Sequence, residues 1–180
     1  LAEELCSILG SCIEGFDLVQ YISEKIIYEK DLEATGCVSD DFLKDNSFVS
    51  FYNIFKRLGE NKIYEDLKDK STGYQIQYVI DLIGETVDLD VSKYIFNTVL
   101  FDAIILNEDR HYSNLGVLLG VDERYSIAPV FDNGLSLLSD IKIFPMKMEI
   151  APLVRKVKAK PFSTSFTKQY RAVLNEFNRP

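Results

Sequence analysis

Three oxygen-bearing side chains in the second half of the chain have the types and spacing that magnesium-assisted phosphoryl transfer requires. Asp109 and Asn114 lie five residues apart in "NEDRHYSNLG", and Asp132 follows in "APVFDNGLSL". Mg²⁺ takes oxygen ligands and keeps several waters, so one Asp and one Asn suffice to hold it together with nucleotide phosphates. A further carboxylate, off the metal, orients the attacking hydroxyl and accepts its proton. We therefore predict Asp109 as the catalytic base, and Asn114 and Asp132 as the metal ligands.

The neighbours of these side chains leave some roles open. Arg110 directly follows the predicted base, where it either neutralises a phosphate or braces the loop. His111 is the only histidine and has no cysteine or second histidine nearby, so we predict that it shapes the catalytic loop by bonding to loop backbone or to Asp132. Asn133-Gly134 by itself would indicate only a turn. A calcium loop is excluded because the regularly spaced acidic ligands and the closing glutamate are absent.

The elements that must position these residues are mostly helical. The run 91–106 is apolar on nearly every side, which predicts a central, buried helix directly before the loop. Short apolar runs around the turn "VDER" predict an antiparallel hairpin whose second strand ends at Asp132. This order is an α+β plan dominated by helices. The other predicted elements are a helix over 1–10, two or three strands over 16–43, and helices over 46–58 (capped by Asn46 or Ser47), 71–84 (capped by Ser71 or Thr72, ending at Gly84) and 163–177.

Composition bounds the class of protein. The chain has 180 residues, 47% of them hydrophobic, so we expect one continuous domain with a substantial core. A net charge of -8 would repel a phosphate backbone, which argues against direct nucleic-acid binding. We interpret the basic cluster "RKVKAK", residues 155–160, as a solvated face. Three cysteines without CxxC spacing indicate reduced thiols in a cytosolic protein. The longest apolar stretch, 94–106, is shorter than the roughly 20 residues of a membrane span.

The two motifs, in this order and separated by a predicted hairpin, resemble the catalytic loop and metal-binding segment of HipA-like protein kinases, the toxin kinases of bacterial toxin–antitoxin systems. The D-R-H-x-x-N core is also similar to that of phosphatidylinositol kinases. Its histidine follows the aspartate, whereas it precedes the aspartate in common protein kinases. The resemblance assigns Asp109, Arg110 and His111 to the catalytic loop, and Asn114 and Asp132 to the metal.

The resemblance also implies a layout for the whole chain. Residues 1–45 would be a remnant of the small N-lobe, and residues 46–180 would be the helical catalytic C-lobe with an embedded hairpin. Adenine would lie along a hinge formed by the backbone of Val38, Ser39, Asp40 and Asp41. Glu3 or Glu4 would face a phosphate-binding lysine. Neither that lysine nor a Gly-rich phosphate loop is recognisable, so most of the N-lobe is missing and we expect this chain alone to be poorly active.

The expected function is that of a cytoplasmic, ATP- and Mg²⁺-dependent Ser/Thr kinase of a HipA-like type. The resemblance implies a protein substrate and an antitoxin partner, with no direct nucleic-acid or membrane contact by this chain. Two alternatives remain open. The same site could serve a small-molecule or lipid acceptor, although the acidic surface weighs against anionic membranes. The chain could also be a non-catalytic, kinase-like binding module.

Overall fold

The computed structural model describes residues 1–27, 33–60, 62–145 and 147–177, and they form helices and two small sheets. The predicted α+β plan dominated by helices agrees with this mixture. The helices are α1 (Ala2–Ser11), α2 (Phe51–Leu58), α3 (Ile63–Leu67), α4 (Thr72–Val87), α5 (Ser92–Ile105), α6 (Ile150–Val154) and α7 (Phe166–Phe177). The strands are β1 (Ile22–Ile27), β2 (Glu33–Val38), β3 (Ser47–Ser50), β4 (Gly116–Leu119) and β5 (Tyr125–Ile127).

The core is built around α5, as its all-round apolar sequence predicts. Ile95, Phe101 and Ile105 of this helix are almost completely buried, and α4 and α7 pack beside it. The helix ends at Leu106, which takes a left-handed backbone conformation (φ 55°) and turns the chain sharply into the polar loop. A fully packed helix therefore fixes the point at which the candidate catalytic loop begins.

A three-stranded antiparallel sheet carries the other end of the loop. The predicted hairpin is confirmed as β4 and β5, in which Val117 pairs with Ile127. A third strand, β3, pairs with β4 and places Val49 opposite Val117. The helix predicted over 46–58 is therefore wrong in its first turn, because Phe48 and Val49 join the sheet, where aromatic and β-branched residues pack well.

Two helix boundaries differ from the prediction. Helix α2 is capped by Ser50 rather than by Asn46 or Ser47, and the Ser50 hydroxyl accepts a hydrogen bond from Asn53 N at 3.2 Å. Helix α4 begins at the predicted cap Ser71 but passes through Gly84 to end at Asp88. Glycine costs a helix only about 1 kcal/mol, so the buried apolar face of α4 carries the helix through it. Two short helices, α3 and α6, were not predicted.

Residues 1–45 contain α1 and a two-stranded antiparallel sheet, in which Ile22 pairs with Val38. Most side chains of β1 and β2 are exposed, so this sheet buries little of its apolar surface. At the start of the region predicted as strands, Leu18 forms an isolated parallel bridge with Val130 rather than part of a strand. Residues 28–32 of the predicted strand region lie outside the described residues. The division of the chain at residue 45 stays a prediction.

In the parts of the chain that the structure describes, no helix combines the length and the apolar character needed to cross a bilayer.

Candidate catalytic site

Two buried polar residues, Asp102 and Asn107, bond to the loop after α5 on its buried side. Neither was predicted as a site residue. Asn107 is completely buried; its Oδ1 accepts a hydrogen bond from Asp109 N at 2.9 Å, and its Nδ2 donates to Asp102 Oδ1 at 3.2 Å. Asp102 lies in the apolar helix α5 and is also buried. A carboxylate in a helix that is otherwise apolar on all sides was the available signal, because a buried charge needs a partner.

Arg110 is that partner. Its side chain has no solvent exposure, and its Nε lies 3.0 Å from Asp102 Oδ2. Its other nitrogens donate to Phe131 O and to Asn133 Oδ1, both at 2.6 Å. Burial alone would lower the pKa of the Arg110 guanidinium, but the Asp102 carboxylate outweighs this and raises the pKa above its ordinary value.

This geometry corrects the assignment of Arg110 to the catalytic residues. A fully buried guanidinium that bonds Asp102, Phe131 and Asn133 cannot reach a substrate phosphate, so of the two roles left open the brace is the one that fits. Its bonds to Phe131 and Asn133 lie on either side of Asp132 along the chain. Arg110 therefore ties the catalytic loop to the segment that carries the predicted metal aspartate.

Asn114 brings the three predicted residues together. Its Nδ2 donates to Asp132 Oδ2 at 2.7 Å and to the backbone oxygen of Asp109 at 3.2 Å. Asp132 does not end a strand as predicted, because β5 stops at Ile127. Asp132 instead takes a left-handed backbone conformation (φ 58°), which aspartate adopts more readily than most residues. The side chains of Asn114 and Asp132 therefore lie together beside the backbone of Asp109, and a turn braced by Arg110 produces this arrangement rather than a strand.

The Asp109 carboxylate lies at the open side of this arrangement, with 33% of its side chain exposed. Its Oδ1 accepts a hydrogen bond from Lys160 Nζ at 2.9 Å, and its Oδ2 lies 3.9 Å from His111 Nε2. Lys160 belongs to the cluster 155–160 interpreted as a solvated face, so its position at the predicted base is a correction to that interpretation. His111 lies beside Asp109 rather than bonding to Asp132, and its Nδ1 is buried without a partner among the described residues.

Helix α1 supports the segment 131–134, which carries the predicted metal ligand Asp132 and is called the metal segment below. The contact is made by Glu3, one of the two predicted glutamates. Glu3 Oε2 accepts a hydrogen bond from Asn133 N at 2.8 Å. A Cβ atom at residue 134 would lie 3.3 Å from Glu3 Oε1, so glycine permits this close approach. Burial raises the pKa of the Glu3 carboxyl, and the nearby Asp132 adds to the shift, while the hydrogen bond from Asn133 opposes it. The other candidate, Glu4, instead accepts a hydrogen bond from Ser23.

The predicted hinge reaches the site only indirectly. Val38 is the last residue of β2, Ser39 to Asp41 follow it, and all four residues are exposed. The next residue, Phe42, stacks on Phe131 with ring centroids 5.5 Å apart, and Phe48 of β3 contacts the same ring edge-on at 5.1 Å. Because Phe131 directly precedes Asp132, this aromatic cluster connects the hinge segment to the metal segment. Adenine binding along the hinge stays a prediction.

The donor set fits a magnesium ion that is held together with phosphates. Asn114 Nδ2 is occupied by two acceptors, which leaves Oδ1 as the amide atom suited to a cation. The Asp132 carboxylate lies against the nitrogen of the same amide, so the two oxygen-bearing side chains are direct neighbours. One carboxylate and one amide are too few for an all-protein magnesium cage, but they suffice where substrate phosphates complete the shell.

Comparisons with known proteins agree with a kinase-like fold. No protein-family model matches the chain, and no curated protein matches it. The crystal structure of the Helicobacter pylori proinflammatory kinase CtkA is similar, with a TM-score of 0.59 at 19% sequence identity. The similarity covers 89% of this chain but 54% of the CtkA chain, so this chain spans about half the length of that kinase. The kinase-like fold is thereby confirmed. Membership of the HipA-like family stays a proposal.

Proposed function

We propose that this chain is the catalytic part of a kinase that transfers the γ-phosphoryl group of ATP to a Ser or Thr hydroxyl of a protein, using Mg²⁺. One observation carries the proposal. Within a kinase-like fold, the Asn114 amide bonds both the backbone of Asp109 and the carboxylate of Asp132. The predicted amide and carboxylate ligands thus lie side by side and next to the backbone of the predicted base, an arrangement that supports phosphoryl transfer.

Each side chain then has a defined task. The acceptor hydroxyl lies against Asp109, its oxygen forms a bond to the γ-phosphorus, and Asp109 accepts the proton. The bond between the γ-phosphorus and the β–γ bridging oxygen breaks, and ADP leaves with the electron pair. Asn114 and Asp132 would hold Mg²⁺, which when bound neutralises charge on the phosphates. Arg110 and Glu3 fix the segment that carries Asp132.

The acceptor and partners are part of the proposal. The D-R-H-x-x-N core followed by Asp-Asn-Gly supports a HipA-like kinase, and that resemblance implies a protein acceptor, an antitoxin partner and a place in the cytoplasm. The net charge of -8 supports a protein rather than a nucleic acid or an anionic membrane as the macromolecule it contacts.

The test is transfer from γ-labelled ATP to protein acceptors and, in parallel, to lipid acceptors. It is run with this chain and with any longer natural protein that contains it. Asp109→Asn should slow transfer by about 10³-fold, the typical contribution of a general base, while leaving Mg-ATP binding intact. Asp69→Asn is the matched control, because Asp69 is an exposed loop residue. Equal transfer by the Asp109 variant and the control would refute the assigned base, and transfer to lipid alone would change the acceptor class.

A nucleotide-binding module without catalysis is the second candidate. The surroundings of Glu3 favour it, because an active kinase pairs this glutamate with a phosphate-binding lysine. In the described ranges its carboxylate forms no ion pair with a lysine; it accepts a hydrogen bond from Asn133 N instead. Calorimetry with Mg-ATP separates the candidates. Binding without transfer, in both the chain and a longer protein, would favour the module. Failure to bind would remove both.

A further inference from the structure

Lys160 reaches the site from a segment far away in sequence. It lies between α6 and α7 and is separated from Asp109 by 51 positions, yet its Nζ is 2.9 Å from Asp109 Oδ1. The same segment makes a second contact with the loop, because the backbone N of Lys158 donates to Glu108 Oε1 at 3.1 Å. Two successive residues of the catalytic loop are thus contacted by the segment 158–160.

The segment is anchored, so the position of Lys160 is built into the fold. Val157 and Ala159 are buried and alternate with exposed lysines. The Lys160 carbonyl accepts a hydrogen bond from Nε2 of Gln169, a side chain of α7 that is only 2% exposed. The backbone of Lys160 is therefore held by a buried amide, while half of its side chain, 50%, remains exposed.

The charge balance of the site gives this lysine a task. A transferring phosphoryl group develops negative charge on its peripheral oxygens, and an adjacent cation in the site stabilises it. Arg110, the basic residue of the motif itself, is buried against Asp102 and cannot supply that cation. Lys160 is in direct contact with the predicted base and is accessible from solvent.

Stability does not account for the contact. An ion pair between two partly exposed side chains contributes little to stability, because water screens it and both side chains lose conformational freedom. The Lys160–Asp109 pair has 50% and 33% side-chain exposure, whereas the Arg110–Asp102 pair is buried. The fold therefore anchors the backbone of a lysine whose ammonium group adds little to the fold.

We propose that Lys160 is a catalytic residue that binds the γ-phosphoryl group of the nucleotide and stabilises it during transfer. This inference rests on the proposed function. Without nucleotide, Lys160 pairs with Asp109; with nucleotide, the ammonium group donates hydrogen bonds to a γ-phosphate oxygen, and Asp109 is released to accept the acceptor's proton. The ammonium keeps its own protons throughout. The bond changes are those already given: oxygen to γ-phosphorus forms, and γ-phosphorus to bridging oxygen breaks.

The experiment compares Lys160→Met, which keeps the length of the side chain without its charge, with Lys160→Arg and with the matched control Lys156→Met. Lys156 lies in the same segment with an exposed side chain. Calorimetry with Mg-ATP and with Mg-ADP is the main readout, because only ATP carries the γ-phosphate. Lys160→Met should bind Mg-ATP about 10-fold more weakly and Mg-ADP within about 2-fold of wild type, the effect of losing one charge-assisted hydrogen bond. Transfer should slow by about 100-fold, with partial recovery in Lys160→Arg.

A double variant distinguishes contact with the phosphate from mere screening of Asp109. If Lys160 only neutralises Asp109, the loss of Mg-ATP affinity should vanish when Lys160→Met is made in an Asp109→Asn background. If Lys160 touches the γ-phosphate, the loss should persist there. Its disappearance would overturn the inference.

The remaining outcomes are equally decisive. A wild-type protein that binds neither nucleotide would refute the proposed function and, with it, this inference. Wild-type binding with Lys160→Met indistinguishable from Lys156→Met would refute the inference alone. Faster transfer or tighter Mg-ATP binding by Lys160→Met would also overturn it, because Lys160 would then block the site.

Discussion

The predicted catalytic loop has an inner and an outer face, and each carries one ion pair. On the inner face the Arg110 side chain, which has no solvent exposure, pairs with Asp102, and its guanidinium makes two further hydrogen bonds, to Phe131 and Asn133. On the outer face Asp109 pairs with Lys160, and both side chains are partly exposed. Adjacent residues of one motif thus point into opposite environments.

The two ion pairs differ in solvent exposure and not in length, so contact distance alone does not determine the role of an ion pair. The distances are nearly equal, 3.0 Å inside and 2.9 Å outside. Breaking a buried pair leaves an uncompensated charge and costs about 3–5 kcal/mol, whereas an exposed pair is worth about 0–1 kcal/mol. The inner pair therefore holds the loop in place, and the outer pair is available to exchange partners.

The largest expected effect comes from breaking the inner pair. Arg110→Ala should lower the free energy of unfolding by about 3–5 kcal/mol, because Asp102 would remain buried and unpaired. Urea denaturation measures the free energy of unfolding. The comparison variant on the outer face is Lys160→Ala, whose free energy of unfolding should change by less than about 1 kcal/mol. Replacing both inner partners, with Asp102→Leu and Arg110→Met, should recover much of the loss. Equal destabilisation by the two alanine variants would erase the distinction between the faces.

The next effect concerns the predicted metal aspartate that the inner face positions. Asp132→Ala should weaken Mg²⁺-dependent nucleotide binding by at least about 100-fold, because the loss of even a residue that only supports a metal ligand costs up to about that much. Calorimetry with ATP in the presence of Mg²⁺ and of a chelator isolates the metal-dependent part. Asp69→Ala serves as the surface control. An Asp132 variant whose affinity still responds to Mg²⁺ as wild type does would assign the metal to other residues.

A smaller effect tests the support of the inner face by α2. The backbone N atoms of Phe51 and Tyr52, in its first turn, donate to Leu115 O at 2.8 Å and Tyr112 O at 3.1 Å. Ser50→Ala removes the cap of this turn and should cost about 1 kcal/mol of unfolding free energy. Ser71→Ala removes the equivalent cap of α4, in which the Ser71 hydroxyl accepts a hydrogen bond from Tyr74 N.

Both cap variants should lose similar stability, but Ser50→Ala alone of the two should also weaken Mg-ATP binding, since the first turn of its helix bonds the loop directly. The two variants are compared by urea denaturation and by calorimetry with Mg-ATP. Equal Mg-ATP affinity in both variants would show that the stability of the first turn of α2 does not affect nucleotide binding at the site.

The smallest expected effect is a pH dependence at Glu3. Its pKa is raised from 4.5 in the folded protein, chiefly by burial. Below its unfolded pKa the group is protonated in both states and costs nothing; as pH rises through the folded pKa, the unfolded state ionises more readily and stability falls. Glu3→Gln retains an oxygen that can accept the hydrogen bond from Asn133 but lacks this dependence.

The melting temperatures of the two proteins, measured from about pH 4 to about pH 8, should therefore diverge in favour of Glu3→Gln as pH rises. Partial solvent exposure keeps the divergence small. A gap that is constant or narrows with pH would mean that burial does not dominate the ionisation of Glu3.

Several parts of the fold were predictable because the responsible interactions are local. Periodicity and capping located α4, a run that is apolar on nearly every side located α5, and short apolar runs around a polar turn located the hairpin. The first turn of the predicted helix at 46 was wrong because pairing with β4, nearly 70 positions away, competes with local helical spacing. Helix propensity alone does not report such a partner.

The site divides in the same way. The site residues Asp109, Asn114 and Asp132 could be predicted from the sequence, because the spacing of the first two and the Asp-Asn-Gly after the hairpin are local patterns. The inward orientation of Arg110 toward Asp102 and the contact of Lys160 with Asp109, 51 positions away, are visible only in the folded chain. The physical reason is burial: whether a charged group braces a loop or remains free to act depends on the water removed around it. Packing between distant segments sets that, and motif spacing does not.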